Sequence, residues 1–211
     1  MVAPSVTWLT GPVVRVADHP ASGAPGHQEV SLLSAPLSPL LTEEFDGALI
    51  SLRVAADVLL LAALGRAVER TFGERVIAVD MADGVFAGKQ AILRCVSARE
   101  ADATAALMDA DHILTSSALR DSATEPEAEI CLSRVSAVTP LSADRALQLS
   151  AHRQDGVLCL DWWYDNRRFD AYSVVERAEQ FPLSLIELTS EAVGPLHGHD
   201  NSPAADWAFA G

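Results

Sequence analysis

The segment 53–73, RVAADVLLLAALGRAVERTFG, limits the possible folds of this chain more than any other stretch. Its apolar residues recur at helical spacing: Leu60, Leu61, Leu64, Val68 and Phe72. Arg66, Glu69 and Arg70 are expected on the opposite, solvent-facing side. The run RVIAVDM (75–81) follows at once and is typical of a buried strand. A long helix that leads directly into a buried strand indicates a layer of helices packed on a sheet.

The same patterns predict the remaining elements. Strands are expected at 28–34, 91–97, 129–138, 145–154 and 156–164, and helices at 38–49, 98–114 and 171–192, the last interrupted by Pro182. The predicted fold class is α/β, with a mixed sheet covered by helices mainly on one face. Residues 1–35 are expected to form an extended or linker segment, 36–193 the folded lobe and 194–211 a tail rich in Pro and Gly.

Composition excludes several classes of partner. The chain has 29 acidic and 15 basic residues, for a net charge of −14, and such a surface repels both phosphate backbones and anionic membranes. No signal-peptide pattern is present, and the longest apolar run, 58–64, is too short to span a bilayer. Cys95, Cys131 and Cys159 are far apart in sequence, which favours reduced core residues of a cytoplasmic protein.

The segment 152–156, HRQDG, decides whether the chain carries a known catalytic motif. A large acyltransferase superfamily is marked by His-His-x-x-x-Asp-Gly. Here the first His is missing, and only two residues separate His152 from Asp155. Alternating strand-type residues lie on both sides, and Gly156 tolerates the positive φ that a type I′ turn needs. The sequence therefore predicts a two-residue hairpin turn at Asp155-Gly156, with His152 as a strand residue beside it.

Two further motifs are predicted to bind nothing. GVFAGK (84–89) resembles a phosphate loop, but it lacks the four-residue spacer and the Ser or Thr after Lys89, and a strand follows it. His197 and His199 alternate in the tail with no fixed further ligand. Neither a nucleotide or other cofactor nor a metal is therefore expected.

The aromatic segment DWWYDNRRF (161–169) is predicted to face two environments. Trp162 and Trp163 point to opposite faces of a strand, so one is expected in the core and the other at a pocket or an interface. Arg167 and Arg168 are expected in a solvated turn.

Four stretches together resemble one known architecture. They are TWLTGPVVRVADHP (7–20), the helix-and-strand block 53–84, the segment 156–188 and NSPAADWAFA (201–210). In this order they resemble the C-terminal lobe of the condensation and epimerisation domains of non-ribosomal peptide synthetases, which are two-lobed relatives of chloramphenicol acetyltransferase. The block 53–84 is the most specific match. The resemblance implies a single lobe of the chloramphenicol acetyltransferase-like fold.

The departures from this family bear on catalysis. The family's His-His-x-x-x-Asp-Gly belongs to the first lobe, which this sequence does not match. Epimerisation-type members carry Glu-Gly-His-Gly-Arg where this chain reads ADGVF (82–86). No catalytic residue can be carried over, and the catalytic residues are unknown at this point. Substrate-binding residues are expected around the end of the opening strand, at Asp80, Asp83 and Phe86, and at Trp162.

The resemblance implies a stand-alone half-condensation-domain protein of natural-product biosynthesis. Its expected substrate is an acyl, peptidyl or polyketide intermediate, free or carrier-bound. As a cyclase, the protein would hold this intermediate in a folded conformation and promote ring closure by positioning its reacting groups. The alternative is a non-catalytic partner that completes a separate first lobe or recruits a tailoring enzyme to the assembly line. A homotrimer with a site between protomers ranks third. An apolar face beside 75–81 and 82–89 is expected either to form a cleft or to be covered by another molecule.

Overall fold

The computed structural model describes residues 12–117, 119, 128–135, 141 and 145–196. Within these residues, one six-stranded sheet is packed against four α-helices, which confirms the predicted α/β class. The strands are β1 (Val30–Pro36), β2 (Arg75–Met81), β3 (Gln90–Cys95), β4 (Ile130–Ser133), β5 (Leu147–Gln154) and β6 (Val157–Asp165). The helices are α1 (Pro39–Leu52), α2 (Ala56–Phe72), α3 (Ala103–Ser116) and α4 (Ala171–Glu191).

The sheet is mixed, with strand order β1-β6-β5-β4-β2-β3. Strands β2, β4 and β5 are parallel, and the other pairings are antiparallel. Met81 of β2 lies in register with Leu132 of β4, so the chain leaves both strands at the same edge of the sheet. Strand β4 is shorter than predicted because the chain turns after Ser133, where the backbone N–H of Arg134 donates to the carboxylate of Asp83 in the loop that follows β2.

The two faces of the sheet differ in character. Alternate residues of β6 pack into the hydrophobic core on the helix side: Leu158, Leu160, Trp162 and Tyr164. The intervening residues Cys159, Asp161 and Trp163 point to the opposite side, which we call the open face. Strand β1 has side chains on both faces of the sheet, although it begins in the segment predicted as a linker.

Helix α2 is buried on all sides along most of its length, from 56 to 68. Its predicted solvent face is therefore wrong at Arg66, because α2 packs against α3, α4 and β3. The Arg66 Nε lies 3.2 Å from the Glu187 carboxylate of α4, and its other nitrogens donate to the carbonyls of Val96 and Ala101. These fixed acceptors offset the free-energy cost of burying the Arg66 charge.

Helix α4 runs through Pro182 without a break, so the predicted interruption is wrong. A proline inside a helix removes one backbone N–H and costs about 3 kcal/mol. The buried side chains of Phe181 and Leu185 on either side offset this cost by packing into the core. The ring of Phe181 meets that of Trp162 edge-on, with centroids 5.7 Å apart.

Helices α1 and α2 form a bent pair. Arg53, with φ 55°, ends α1 in the left-handed region, and the two helix axes differ by 116°. Among the described helices, no single one combines the length and the apolar character needed to cross a membrane. The bent pair α1 and α2 has this length and apolar character only when the two helices are counted together.

The predicted type I′ hairpin is confirmed. Gln154 pairs with Val157 across a two-residue turn, and Asp155 and Gly156 have φ values of 52° and 80°. Both turn residues thus adopt the positive φ that defines this turn. His152 lies in β5, directly opposite a residue of β6.

The segment 13–19 is held against the sheet by Glu129. The carboxylate of Glu129 accepts from the backbone N–H of Val16 at 2.7 Å and from the guanidinium of Arg168. Arg168 is buried, so its predicted place in a solvated turn is wrong, whereas Arg167 at the surface pairs with Asp165. A cavity of about 200 Å³ lies between this segment, β2 and Glu129, away from the loop that follows β2.

Candidate functional site at the carboxyl ends of β2 and β4

The loop 82–89, which we call the β2–β3 loop, leaves the sheet beside the end of β4. In open α/β sheets, ligands bind beyond the carboxyl ends of parallel strands. Asp83 joins the two strand ends here: one carboxylate oxygen accepts from the Ser133 hydroxyl at 2.6 Å and the other from the Arg134 backbone N–H at 2.7 Å. The structure therefore fixes this predicted site residue at the junction of β2 and β4.

A second carboxylate lies beneath this junction. Asp57, in the first turn of α2, is almost fully buried, and its Oδ1 lies 3.2 Å from Nε of Arg134. Burial raises the pKa of Asp57 to about 6; Arg134 acts in the opposite direction, and the like charge of Asp83 raises it further. The sequence prediction missed Asp57. Its signal was an acidic residue in the first turn of a helix, directly before the apolar run 58–64.

Gly84 closes the loop over this ion pair. Its φ is 80°, and a Cβ at this position would lie 2.6 Å from Nε of Arg134 and 2.8 Å from a carboxylate oxygen of Asp57. Both the backbone conformation and the close approach therefore require glycine. We call Asp57, Asp83, Gly84, Ser133 and Arg134 the ionic floor.

Asp80 lies at the same end of β2 but on the open face, where it is buried. Its carboxylate accepts from the Gln90 side-chain amide at 3.2 Å and lies 3.5 Å from Nε of Arg145. These partners make Asp80 a fixed charge next to the ionic floor.

The two predicted aromatic site residues lie in different places. Phe86 stays at the end of β2, where it is buried at the edge of the core with the Lys89 ammonium 5.5 Å from its ring centroid. Trp162 is fully buried in the core against Phe181, so it does not reach a surface that a ligand could touch. The tryptophan on the open face is Trp163, which is half-buried opposite Leu32.

Exposed apolar side chains flank the β2–β3 loop. Val85, Leu119 and Val135 are 60%, 70% and 58% exposed. Val85 belongs to the loop, Leu119 forms a bridge with Lys89, and Val135 follows the residue whose N–H binds Asp83. We call these three residues the apolar rim. The candidate site therefore combines exposed apolar side chains near the β2–β3 loop with a buried, charged junction beneath that loop.

Sequence comparison finds a similarity over part of the chain only. No protein-family model matches the sequence. A segment of 58 residues is 43% identical to one component of the phenolphthiocerol/phthiocerol polyketide synthase of Mycobacterium tuberculosis, and the same holds for that of Mycobacterium bovis. The segment spans 27% of this chain and 4% of the polyketide synthase component.

Structural comparison covers most of the chain. The epimerization domain from the third module of tyrocidine synthetase B matches with a TM-score of 0.62 and 16% identity, over 86% of this chain and 53% of that one. The X-domain from teicoplanin biosynthesis, solved in complex with OxyB, matches with a TM-score of 0.57 and 14% identity. The match covers 84% of this chain and 49% of that one. A structure on condensation domain-mediated chain release from the enacyloxin polyketide synthase matches with a TM-score of 0.54 and 12% identity. The match covers 80% of this chain and 42% of that one.

The chain has the fold of one lobe of these epimerization, X and condensation domains. This confirms the predicted resemblance at the level of the fold. The lobe spans about half of each of these three structures.

The chemistry available in this lobe follows from its described residues. Burial raises the pKa of Cys159, and that of Cys95 to about 12, so both thiols stay protonated and are poor nucleophiles. No three His, Cys, Asp or Glu side chains within the described ranges are arranged to hold a metal ion. His197 and His199, predicted to bind nothing, lie outside those ranges.

His152 lies in another part of the lobe from the ionic floor. Its Nδ1 is 3.7 Å from Asp161, whose other carboxylate oxygen accepts from the Ser34 hydroxyl at 2.6 Å. The site at the β2–β3 loop thus offers apolar contact, fixed charges and a buried carboxyl group with a pKa of about 6. These features suit binding and orientation.

Proposed function

We propose that this lobe acts in natural-product biosynthesis and holds an apolar acyl, peptidyl or polyketide chain against its apolar rim. The observation that carries the proposal is the rim itself, three exposed apolar side chains beside the carboxyl ends of parallel strands. The fold shared with condensation-type domains and the segment shared with a polyketide synthase support the same class of substrate.

The lobe contributes position rather than proton transfer. Asp83 is held by two hydrogen bonds, and Asp57 lies buried below Gly84, so neither carboxylate extends to a bound chain. A chain folded on the rim would have its reacting groups brought together, and such positioning can lower a barrier by several kcal/mol. Ring closure within the bound chain is the reaction that we propose for it.

The alternative function is that of a non-catalytic partner, and two observations favour it. The lobe spans about half of the solved condensation-type structures, so the same rim would pack against a first lobe in the same or another polypeptide. The X-domain was solved in complex with OxyB, so a domain of this fold can bind another protein. Under this alternative the first lobe supplies the catalytic His.

The cellular setting is part of the proposal. Cys95, Cys131 and Cys159 are buried thiols that form no disulfide with one another, which supports action in the reducing cytoplasm. We expect the lobe to act without a cofactor, on a small-molecule or carrier-bound intermediate.

Binding of an acyl pantetheine thioester, followed by ligand-observed NMR, tests the proposal. Val85→Asp and Val135→Asp place a charge on the rim, and each should weaken binding by about tenfold or more, because an apolar chain cannot solvate a carboxylate. Met108→Asp is the matched control, since Met108 is about half exposed on α3. The control should bind as wild type does.

The outcomes separate the two functions. If Val85→Asp and Met108→Asp weaken acyl thioester binding equally, the rim is not the acyl site. A wild-type lobe that binds no acyl thioester, but is retained by a condensation-domain first lobe through the same rim residues, would favour the partner function.

A further inference from the structure

Asp57 contacts both of the segments that carry the rim residues Val85 and Val135. Its Oδ1 lies 3.2 Å from Nε of Arg134, and Arg134 directly precedes Val135. The backbone of Gly84, which directly precedes Val85, passes so close that a Cβ there would lie 2.8 Å from Oδ2 of Asp57. One buried side chain thus connects two rim segments that are distant from each other in the sequence.

The contacts of Asp57 depend on its charge. Burial raises its pKa, whereas the Arg134 guanidinium and the backbone N–H of Val85 lower the pKa by favouring the carboxylate. Neither carboxylate oxygen accepts a hydrogen bond of normal geometry from a described residue. A neutral acid would therefore keep no directional contact with either rim segment, and protonation removes the attraction on both sides at once.

Two charged groups act on Asp57, one from each neighbouring segment. Arg134, after β4, opposes protonation, and Asp83, in the β2–β3 loop, favours it through its like charge. Because the pKa of Asp57 is about 6, the side chain is mostly ionised at about pH 7.5 and mostly protonated at about pH 5. The contact with the rim segments therefore has two states within a mild pH range.

We propose that Asp57 is a positioning residue of the acyl site: its carboxylate holds the segments of Val85 and Val135 in the conformation that binds an acyl chain, and its protonation releases them. The inference rests on the proposed function, since it concerns the same rim. Asp57 lies buried below Gly84 and acts without touching the bound chain. When Asp57 is neutral, the largely buried Arg134 guanidinium loses an attraction that offsets its burial, and its segment is drawn towards water.

The coupling has a sign that general destabilisation of the lobe cannot imitate. Between about pH 7.5 and about pH 5, protonation of Asp57 favours the folded state, because its folded pKa of about 6 exceeds the ordinary value. The same protonation should weaken acyl binding. Stability and acyl affinity therefore move in opposite directions over this window. By linkage, a bound acyl chain should also lower the pKa of Asp57.

Amide chemical shifts of the ligand-free, ¹⁵N-labelled chain, followed from about pH 8 to about pH 5, test whether Asp57 positions the rim. The amides of Val85 and Val135 should titrate together, with a midpoint near the Asp57 pKa of about 6. Asp57→Asn keeps the shape of the side chain without its charge and should abolish this titration. Asp109→Asn, at an exposed aspartate of α3, is the matched control and should keep it.

The affinity for an acyl pantetheine thioester, measured by ligand-observed NMR at about pH 7.5 and about pH 5, tests the coupling to binding. Wild type should bind about tenfold more weakly at the lower pH, because only about a tenth of the chains then keep Asp57 ionised. Folded Asp57→Asn, checked by circular dichroism, should bind weakly at both pH values with little change between them. Asp109→Asn should behave as wild type does.

The outcomes separate this inference from the proposed function. Acyl affinity that is equal at the two pH values, or that falls as much in Asp57→Asn as in wild type, overturns the inference and leaves the acyl site in place. A lobe that binds no acyl thioester at about pH 7.5 overturns the proposed function and the coupling with it. Amides of Val85 and Val135 that do not titrate near pH 6 in the ligand-free wild type contradict positioning by Asp57, whatever the binding result.

Discussion

Two of the three Asp-Gly pairs in the lobe, Asp83-Gly84 and Asp155-Gly156, lie outside the helices, and the structure uses them in opposite ways. In Asp155-Gly156, both residues have positive φ, and a Cβ on Gly156 would meet nothing within 4 Å. In Asp83-Gly84, the carboxylate ties two strand ends together, and the glycine packs on a buried ion pair. The first pair is a local turn, whereas the second is built from parts of the chain that are distant in sequence.

The difference shows why a dipeptide alone does not mark a site. The hairpin turn follows from the backbone preferences of its own two residues and the strands beside them. The role of Asp83 depends on Ser133 and Arg134, which reach it only when β4 pairs beside β2. Substitutions at the two pairs should therefore differ in cost, and the following predictions test that difference.

The largest difference is expected between Gly84→Ala and Gly156→Ala. At Gly84, the new methyl group collides with the buried pair of Asp57 and Arg134, and we expect a loss of about 3 kcal/mol or more in the free energy of unfolding. At Gly156, the cost is the left-handed backbone alone, about 1–2 kcal/mol. Urea unfolding of both variants measures this, and equal costs would contradict the packed role of Gly84.

A smaller difference is expected between Asp83→Ala and Asp155→Ala. Loss of the Asp83 carboxylate removes its hydrogen bonds from the Ser133 hydroxyl and the Arg134 N–H, at a cost of about 1–3 kcal/mol. Asp155 is an exposed turn residue, and its replacement should cost about 1 kcal/mol or less. Thermal unfolding compares the two. A more damaging Asp155→Ala would show that the hairpin, and not the strand-end junction, is the more constrained pair.

The pH dependence of stability should report Asp57. Its folded pKa of about 6 exceeds the ordinary value of about 3.9, so the folded state binds a proton that the unfolded state lacks between these values. Asp57 therefore makes the protein more stable as pH falls from about 7 to about 4, by about 1–3 kcal/mol. The stability difference between wild type and Asp57→Asn should change over this window, and a constant difference would refute the shift.

The smallest effect is expected for His152→Ala. His152 is a strand residue beside the hairpin, and we expect its loss to change acyl thioester affinity by less than about threefold and stability by about 1 kcal/mol. A loss of binding by orders of magnitude, with the fold intact, would show that the shortened His-x-x-Asp-Gly segment has a direct role.

Local sequence patterns predicted the fold well where neighbours in the chain decide the structure. Strand β2 has its predicted bounds, 75–81, and the hairpin turn lies at the predicted residues. The errors arise where distant contacts decide. Arg66 can be buried because Glu187 and two carbonyl groups lie close to its guanidinium. Helix α4 continues through Pro182 because the side chains on either side of this proline pack into the core.

The candidate site was predicted in part for the same reason. Asp80 is near the end of a recognisable buried strand, and Asp83 and Phe86 follow that strand, so their position at its end could be inferred. Trp162 and Trp163 were correctly assigned to opposite faces, but alternation alone does not say which face the helices cover. Asp57 belongs to the site through Arg134 and Gly84, partners that are distant from it in the sequence.

The central claim is that the β2–β3 loop with its apolar rim, and not the hairpin, is the surface that meets an acyl chain. Titration of the ¹⁵N-labelled chain with an acyl pantetheine thioester, read by amide chemical shifts, tests it most directly. We predict shifts concentrated at 82–89 and Val135, with little change at 154–157. Shifts concentrated at the hairpin, or none at a saturating probe concentration, would contradict the claim.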